Sequence, residues 1–208
     1  MTTATQQQQQ LGWPTTREFP LVLHLEPAVR LSEDQFFDMC QLNRDLRIER
    51  TAEGDVLLMP PAGGETGASN AGITAQVWQW TKQDGTGTTF DSSAGFMLPS
   101  GAVRSPDASW IARSRWDALT PKQRKRFAPI CPDFVLELRS PSDALADLHA
   151  KLAEYLANGA RLGWLLDPEA RRVFVYRPDA PLEQLDDPAT VAGDPVLPDF
   201  VLDLRAVW

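Results

Sequence analysis

Two acidic residues lie on segments that the sequence predicts to be β-strands. Asp107 opens the segment PDASWIA, and Glu137 lies inside the apolar segment FVLEL. If these strands are neighbours, the two carboxylates converge and repel each other unless a positive group lies between them. A hard divalent cation such as Mg²⁺ suits that position, because it binds one or two carboxylates and completes its shell with water. The pair is therefore a candidate divalent-metal site.

Two cationic side chains are candidates for a place beside these acids. Residues two apart in a strand share a face, so Arg139 is expected to project on the same side as Glu137. Lys151 lies on the next predicted helix, one turn after Leu148. At about 100° per residue it flanks the apolar stripe of that helix by roughly 40–60°. Its stem can therefore follow apolar surface while its ammonium reaches the polar face of the sheet.

Each of these residues also has an ordinary structural explanation. A Pro-Asp pair often begins a turn, a strand glutamate is often solvated, and a helix-flank lysine usually extends its charge into water. Only their joint placement, on two strands and the following helix, favours a functional site.

The surrounding segments predict the elements that must position these residues. Three helices are expected. One begins at Ser32, one covers ETGASNAGITAQVWQWTKQDG, and one runs from an N-cap at Ser140 to a C-terminal end at Gly159. Hairpins are expected from LRIERT with DVLLMP, and from RLGWLLDP with RRVFVYRP. A short edge strand is expected at LVLHL. The pattern predicts an α/β fold with a mixed β-sheet flanked by helices.

Composition narrows the class of protein. The formal net charge of −8 argues against a nonspecific nucleic-acid coat or a membrane-surface binder. The two cysteines lie far apart, which favours reduced thiols and a cytoplasmic location. No apolar run is long enough to span a membrane. The Gln-rich segment 1–18 is expected to be a disordered polar tail, followed by one domain over 19–208.

Several segments in order carry a resemblance to a known family. They are PPAGGETGASN, FDSSAGFMLPSGAVRSPDASW, CPDFVLELRSPSD, the lysine at 151 with EYLANGARLGWLLDP, and VFVYRP. Over roughly residues 30–208 the chain resembles the Uma-type endonuclease family of the restriction-endonuclease-like PD-(D/E)xK superfamily. The resemblance implies a restriction-endonuclease-like fold, DNA or another nucleic acid as the partner, and a homodimer.

The resemblance also implies the metal ligands. Asp107 matches the acid of the PD motif, and Glu137 matches the acid of the (D/E)xK motif. Both are therefore expected to bind Mg²⁺ or Mn²⁺. Glu49, in LRIERT, resembles the additional acid that many superfamily members carry upstream. It is a third metal-ligand candidate.

The implied catalytic cations depart from the usual pattern. Arg139 occupies the position where the superfamily usually has lysine; arginine cannot act as a base but can contact a phosphate. Lys151 looks like the lysine that members of this family carry on the next helix. Many relatives have a histidine where Thr66 stands. The implied catalytic set is Asp107, Glu137, Lys151 and Arg139.

The leading hypothesis is a metal-dependent endonuclease that hydrolyses DNA phosphodiester bonds. The alternative is a catalytically inactive nuclease-fold module that binds nucleic acid or protein, which Arg139 and the acidic composition favour. A third hypothesis is a structural or assembly protein whose acids are merely solvated. Basic residues between Arg104 and Arg126 could hold a nucleic-acid backbone, or could simply balance an acidic surface.

Overall fold

A computed structural model of the protein describes residues 20–205 and 207–208. The predicted tail over 1–18 lies outside the described residues. Within them, no helix is both long enough and apolar enough to cross a membrane.

The strands and helices are numbered in chain order among the described residues. The strands are β1 (Leu21–Leu23), β2 (Arg47–Arg50), β3 (Val56–Met59), β4 (Gly87–Asp91), β5 (Phe96–Met97), β6 (Val103–Arg104), β7 (Ala108–Ala112), β8 (Phe134–Leu138), β9 (Leu162–Asp167), β10 (Arg172–Tyr176), β11 (Glu183–Asp186), β12 (Thr190–Ala192) and β13 (Val201–Asp203). The helices are α1 (Glu33–Leu42), α2 (Gly64–Asp84), α3 (Arg113–Asp117), α4 (Pro121–Arg124) and α5 (Leu145–Ala157).

The main sheet is mixed, as the sequence predicts. Its strand order is β11-β10-β9-β8-β7-β4. β8 and β9 are parallel, and every other neighbouring pair is antiparallel. The parallel pair requires a crossover connection, which α5 provides. The predicted α/β fold with a mixed sheet and flanking helices is confirmed.

A second sheet has five strands, and all of its neighbouring pairs are antiparallel. Its strands follow the order β1-β3-β2-β6-β5, and it includes the predicted β2–β3 hairpin and the predicted edge strand β1. A short hairpin of β12 and β13 completes the described sheets. This second sheet matters for function because β2 carries Glu49.

β8 is the central strand of the site and is buried on both faces. Phe134, Leu136 and Leu138 share one hydrophobic cluster with residues of α2, because alternate residues of a strand lie on one face. Val135 faces the opposite cluster, which contains Leu152 and Tyr155 of α5. Glu137 points to this second side, where α5 covers the sheet. A charged residue buried there requires compensating partners.

The beginning of α5 differs from the sequence prediction. Ser140 was expected to cap the helix, but α5 begins at Leu145 with Ala144 at the N-cap position. The residues between form a turn, in which Ser140 N donates to the Asp143 carboxylate at 2.8 Å and Asp143 N donates to Ser140 O at 3.0 Å. The Asp143 side chain therefore closes a turn instead of completing a capping box. The predicted end of this helix at Gly159 is consistent with the positive φ of that residue, 104°.

Two smaller predictions are confirmed. Ser32 caps α1 in a reciprocal capping box with Gln35. Cys40 and Cys131 are both free thiols. Burial raises the pKa of Cys131 to about 12, so this thiol stays protonated and unreactive at neutral pH.

Leu152 of α5 packs against the sheet, and its substitution tests this packing. It is fully buried, so Leu152→Ala should lower the free energy of unfolding by about 2–5 kcal/mol through lost burial and a residual cavity. Leu42→Ala is the matched control, because Leu42 is also helical but 85% exposed, and should change it by less than about 0.5 kcal/mol. Urea denaturation measures the unfolding free energy of both variants. Equal effects would contradict the assigned packing of Leu152.

Candidate active site

Asp107 and Glu137 lie side by side at the junction of β7 and β8. Ala108 pairs with Leu136, and one residue earlier Asp107 N donates to Leu136 O at 3.0 Å. The Asp107 carboxylate in turn accepts a hydrogen bond from Leu138 N at 2.9 Å through Oδ2. Asp107 is thus bonded to the backbone on both sides of Glu137. The structure brings together the two acids that the sequence pairs.

Lys151 reaches both Glu137 and Glu49 from α5. Its Nζ lies 2.9 Å from Glu137 Oε1 and 3.0 Å from Glu49 Oε1. α5 packs on the side of β8 that carries Val135 and Glu137, so a residue on the flank of its apolar stripe points at the sheet. The predicted convergence of Asp107, Glu137 and Lys151 is therefore present, and the weaker candidate Glu49 belongs to the same cluster.

Glu49 is held from all sides by groups of the protein. Its Oε1 accepts Ser105 N at 3.0 Å in addition to Lys151, and its Oε2 pairs with Arg104 Nη1 at 3.3 Å. Because Lys151, Arg104 and Arg47 all lie within 4.0 Å of its carboxylate, Glu49 is the most heavily paired of the three acids and the least available for a metal. Its contacts identify it as the anchor of Lys151, and its role as a metal ligand stays a prediction.

The sequence analysis did not assign three further residues to this cluster, although it named Arg104 as a possible nucleic-acid contact. Tyr155 donates its hydroxyl to Glu137 Oε1 at 3.1 Å, Arg47 pairs with Asp107 Oδ1 at 3.2 Å, and Arg104 joins Glu49 to Glu154. Their spacing in the sequence from Lys151 or Glu49 could have indicated two of these residues. Tyr155 lies one helical turn after Lys151, and Arg47 lies two residues before Glu49 on one strand face.

Burial and neighbouring charges set the protonation of the cluster. Burial raises the pKa of Glu137 to about 7, although Lys151 opposes the rise. Burial also acts to raise the pKa of Glu49, but Lys151, Arg104 and Arg47 together hold it below its ordinary value. For Lys151 burial lowers the pKa, yet Glu137 and Glu49 outweigh burial and raise it. The ammonium and the Glu49 carboxylate are therefore charged at neutral pH.

The donor groups fit a hard divalent cation, although the protein's own cations now contact them. Among residues 20–205 and 207–208, no three acidic, histidine or cysteine side chains are gathered tightly enough to hold a metal as arranged. Lys151 instead contacts Glu137 Oε1, and Arg47 contacts Asp107 Oδ1. Glu137 Oε2 accepts no hydrogen bond from the described residues. Glu137 Oε2 and the adjacent Asp107 carboxylate, once Arg47 releases it, are the oxygens that could bind Mg²⁺ or Mn²⁺, and their role as metal ligands stays a prediction.

Arg139 does not join this cluster. Its Nη1 binds both carboxylate oxygens of Asp167, at 3.0 and 3.1 Å, and lies 3.4 Å from Glu169 Oε2. β8 ends at Leu138, but Arg139 N still donates to Leu166 O of β9 at 2.9 Å. The Arg139 side chain pairs with Asp167 and not with Glu137, and its predicted catalytic role stays a prediction. No contact of Arg139 supports its predicted catalytic role.

The acid cluster lines an open cleft of about 2420 Å³. Thr66 and Trp78 of α2 also line this cleft, and acidic side chains outnumber basic ones in its wall. Most of the predicted backbone-binding arginines pair within the protein instead. Arg115 pairs with Asp133, Arg124 with Asp117 and Arg126 with Asp34.

The pairing of Lys151 predicts a pH-dependent loss of stability in Lys151→Met. Removing the ammonium leaves two buried carboxylates without their cation, which should cost about 3–5 kcal/mol of unfolding free energy at pH 8. The pKa of Glu137 would rise further above its unfolded value, so the variant loses stability as pH rises and should lose less at pH 5.

Urea denaturation at both pH values measures this loss. Lys82→Met is the matched control, because Lys82 is an exposed lysine on α2 whose ammonium only approaches the Trp78 ring. The control should shift stability by about 1 kcal/mol or less at either pH. A cost for Lys151→Met that does not change with pH would contradict the electrostatic explanation.

Comparisons with known proteins agree with this architecture. The crystal structure of a "putative nuclease belonging to DUF820" from Anabaena variabilis ATCC 29413, at 1.96 Å resolution, superposes with a TM-score of 0.67. It shares 21% sequence identity, and the match covers 85% of this chain and 97% of the other, which shows a common fold. No curated protein matches the chain. The family model Uma2, described as "Putative restriction endonuclease", matches residues 33–205, and the chain therefore belongs to the Uma2 family.

Proposed function

We propose that this protein is a divalent-metal-dependent endonuclease that hydrolyses DNA phosphodiester bonds. The observation that carries the proposal is the position of Lys151 Nζ, 2.9 Å from Glu137 Oε1, with Asp107 beside Glu137 on the next strand. Membership of a family described as restriction endonucleases supports a nucleic acid as the substrate. DNA, Mg²⁺ or Mn²⁺, a homodimer and a cytoplasmic location remain parts of this proposal.

The residues divide the chemistry among them. A divalent cation held by Asp107 and Glu137 would supply Lewis acidity and a bound water of lowered pKa. Lys151 is positioned to donate to an attacking water and to offset the negative charge that builds up on the phosphorus. Tyr155 orients the Glu137 carboxylate through its hydroxyl. Glu49 keeps the Lys151 ammonium beside Glu137, so the donor is fixed before the substrate arrives.

An inactive binding module is the second candidate, and one observation favours it. The acids Asp107, Glu49 and Glu137 are each paired with one of the protein's own cations, Arg47, Arg104 or Lys151, so none of them requires a metal to compensate its charge. Such a module would bind nucleic acid and leave it uncut in every metal. Cleavage assays therefore separate the two candidates directly.

The nuclease proposal predicts that Mg²⁺ or Mn²⁺ supports nicking of a supercoiled plasmid and that EDTA stops it. Asp107→Asn and Glu137→Gln should each reduce cleavage to background, because each removes a proposed metal ligand while keeping side-chain shape. Calorimetry should show Mn²⁺ binding by the wild type and its loss in the double variant.

Glu53→Gln is the control for these substitutions, since Glu53 is an exposed acid in the turn between β2 and β3. It should cleave and bind Mn²⁺ as the wild type does. An Asp107→Asn protein that cleaves at the wild-type rate would refute the assigned metal site. Binding without cleavage in any metal would leave the inactive module as the function.

A further inference from the structure

Arg47 differs from the other two cations of the acid cluster in its exposure. Its side chain is 31% exposed, against 11% for Arg104 and 12% for Lys151. It lies on β2, two residues before Glu49, and lines the open cleft. Of the three cations, Arg47 is therefore the one most accessible to a molecule in the cleft.

The guanidinium of Arg47 also has unused hydrogen-bonding capacity. Nη1 donates to Asp107 Oδ1 at 3.2 Å and Nη2 donates to Ser105 O at 2.6 Å. Its Nε is buried and has no hydrogen-bond partner in the described part of the chain. A buried donor without an acceptor is costly, so its presence at a cleft requires an explanation. A ligand oxygen would satisfy it.

The contact between Arg47 and Asp107 involves an oxygen that the proposed site needs. Asp107 Oδ2 is engaged by Leu138 N, which leaves Oδ1, the oxygen that Arg47 now contacts. A cation bound to Asp107 would take this oxygen and repel the guanidinium. Arg47 would then require another anion within reach of β2.

We propose that Arg47 binds a backbone phosphate of the nucleic acid in this cleft, and that its contact with Asp107 is its resting position in the free protein. The inference rests on the proposed function, because it names the residue that holds that substrate. The planar guanidinium matches two phosphate oxygens, which a lysine ammonium cannot do. Arg47 thus takes the phosphate contact that the sequence had assigned to Arg139.

The other cations are less suited to this role. Lys151 is committed to Glu137 and Glu49, and Arg104 to Glu49 and Glu154. Arg44 also lines the cleft, but it is exposed and hydrogen-bonds only to Gln41 on α1 among the described residues. Arg44 therefore provides a matched control, an arginine in the same cleft without a contact to the acids.

The test measures binding of a short fluorescein-labelled DNA oligonucleotide by fluorescence anisotropy in EDTA at low salt, where no metal-dependent cleavage occurs. Arg47→Met should weaken binding about tenfold, and Arg44→Met should weaken it much less. Asp107→Asn should strengthen binding by releasing Arg47. This gain should disappear in the Asp107→Asn/Arg47→Met double variant.

A second readout uses the metal alone. Arg47→Met should bind Mn²⁺ several-fold more tightly than the wild type in calorimetry, because a competing cation has been removed, and Arg44→Met should not. If Arg47→Met does not fold, Arg47→Lys replaces it; that variant keeps the charge but loses the planar fork and should lose part of the DNA affinity.

Each result bears on the inference separately from the proposed nuclease function. Arg47→Met binding DNA like Arg44→Met, a gain that survives in the double variant, or no DNA binding by the wild type would overturn it. If the binding differences appear but no metal supports cleavage, the phosphate role of Arg47 stands and the nuclease function fails.

Discussion

The buried ammonium of Lys151, shared between Glu49 and Glu137, is the interaction on which the site depends. It joins three elements that are distant in the chain: β2 of the antiparallel sheet, β8 of the mixed sheet, and α5. Removing these charges from water costs several kcal/mol per ion, and only close pairing recovers that cost. The position of α5 over β8 and the approach of the second sheet are therefore coupled through one group. A shift in any of the three elements would leave a buried charge unpaired.

Two neighbouring ion-pair groups show how structural and functional charges differ on one strand. Arg139, just after β8, binds both oxygens of Asp167, whose Oδ1 also accepts a longer hydrogen bond from Ala170 N, so that carboxylate is fully engaged. Glu137, within β8, is bonded only through Oε1 among the described residues. A carboxylate with an open oxygen, in a cleft, can still accept a metal ion or a proton. The chemistry is therefore expected at Glu137, although both carboxylates are almost fully buried.

The sequence predicts those features that follow from local periodicity. Alternation in FVLEL placed Glu137 on the face opposite Leu136 and Leu138, and the apolar stripe of α5 placed Lys151 on the flank that meets it. Features that depend on how two sheets approach each other could not be obtained this way. Arg47 shares a strand face with Glu49, but nothing in the local sequence indicates that this face meets β7 and β8. Ser140 was misassigned because a turn closed by the Asp143 side chain delays the helix to Leu145. Local spacing also does not show that Arg139 pairs with Asp167.

The charges of the cluster bear on how a chain with a net charge of −8 could bind the proposed nucleic-acid substrate. The acids Glu49, Asp107, Glu137 and Glu154 face the cations Arg47, Arg104 and Lys151, so the cluster has only one acid more than it has cations. A divalent cation bound there would make the cluster net positive, and a phosphate would then bring it back towards neutrality. Binding of the two ligands is thus expected to be mutually favourable, because each compensates the charge that the other introduces. Under the proposed function, binding of a polyanion in this cleft would depend on this local balance of charge and would not require a basic surface.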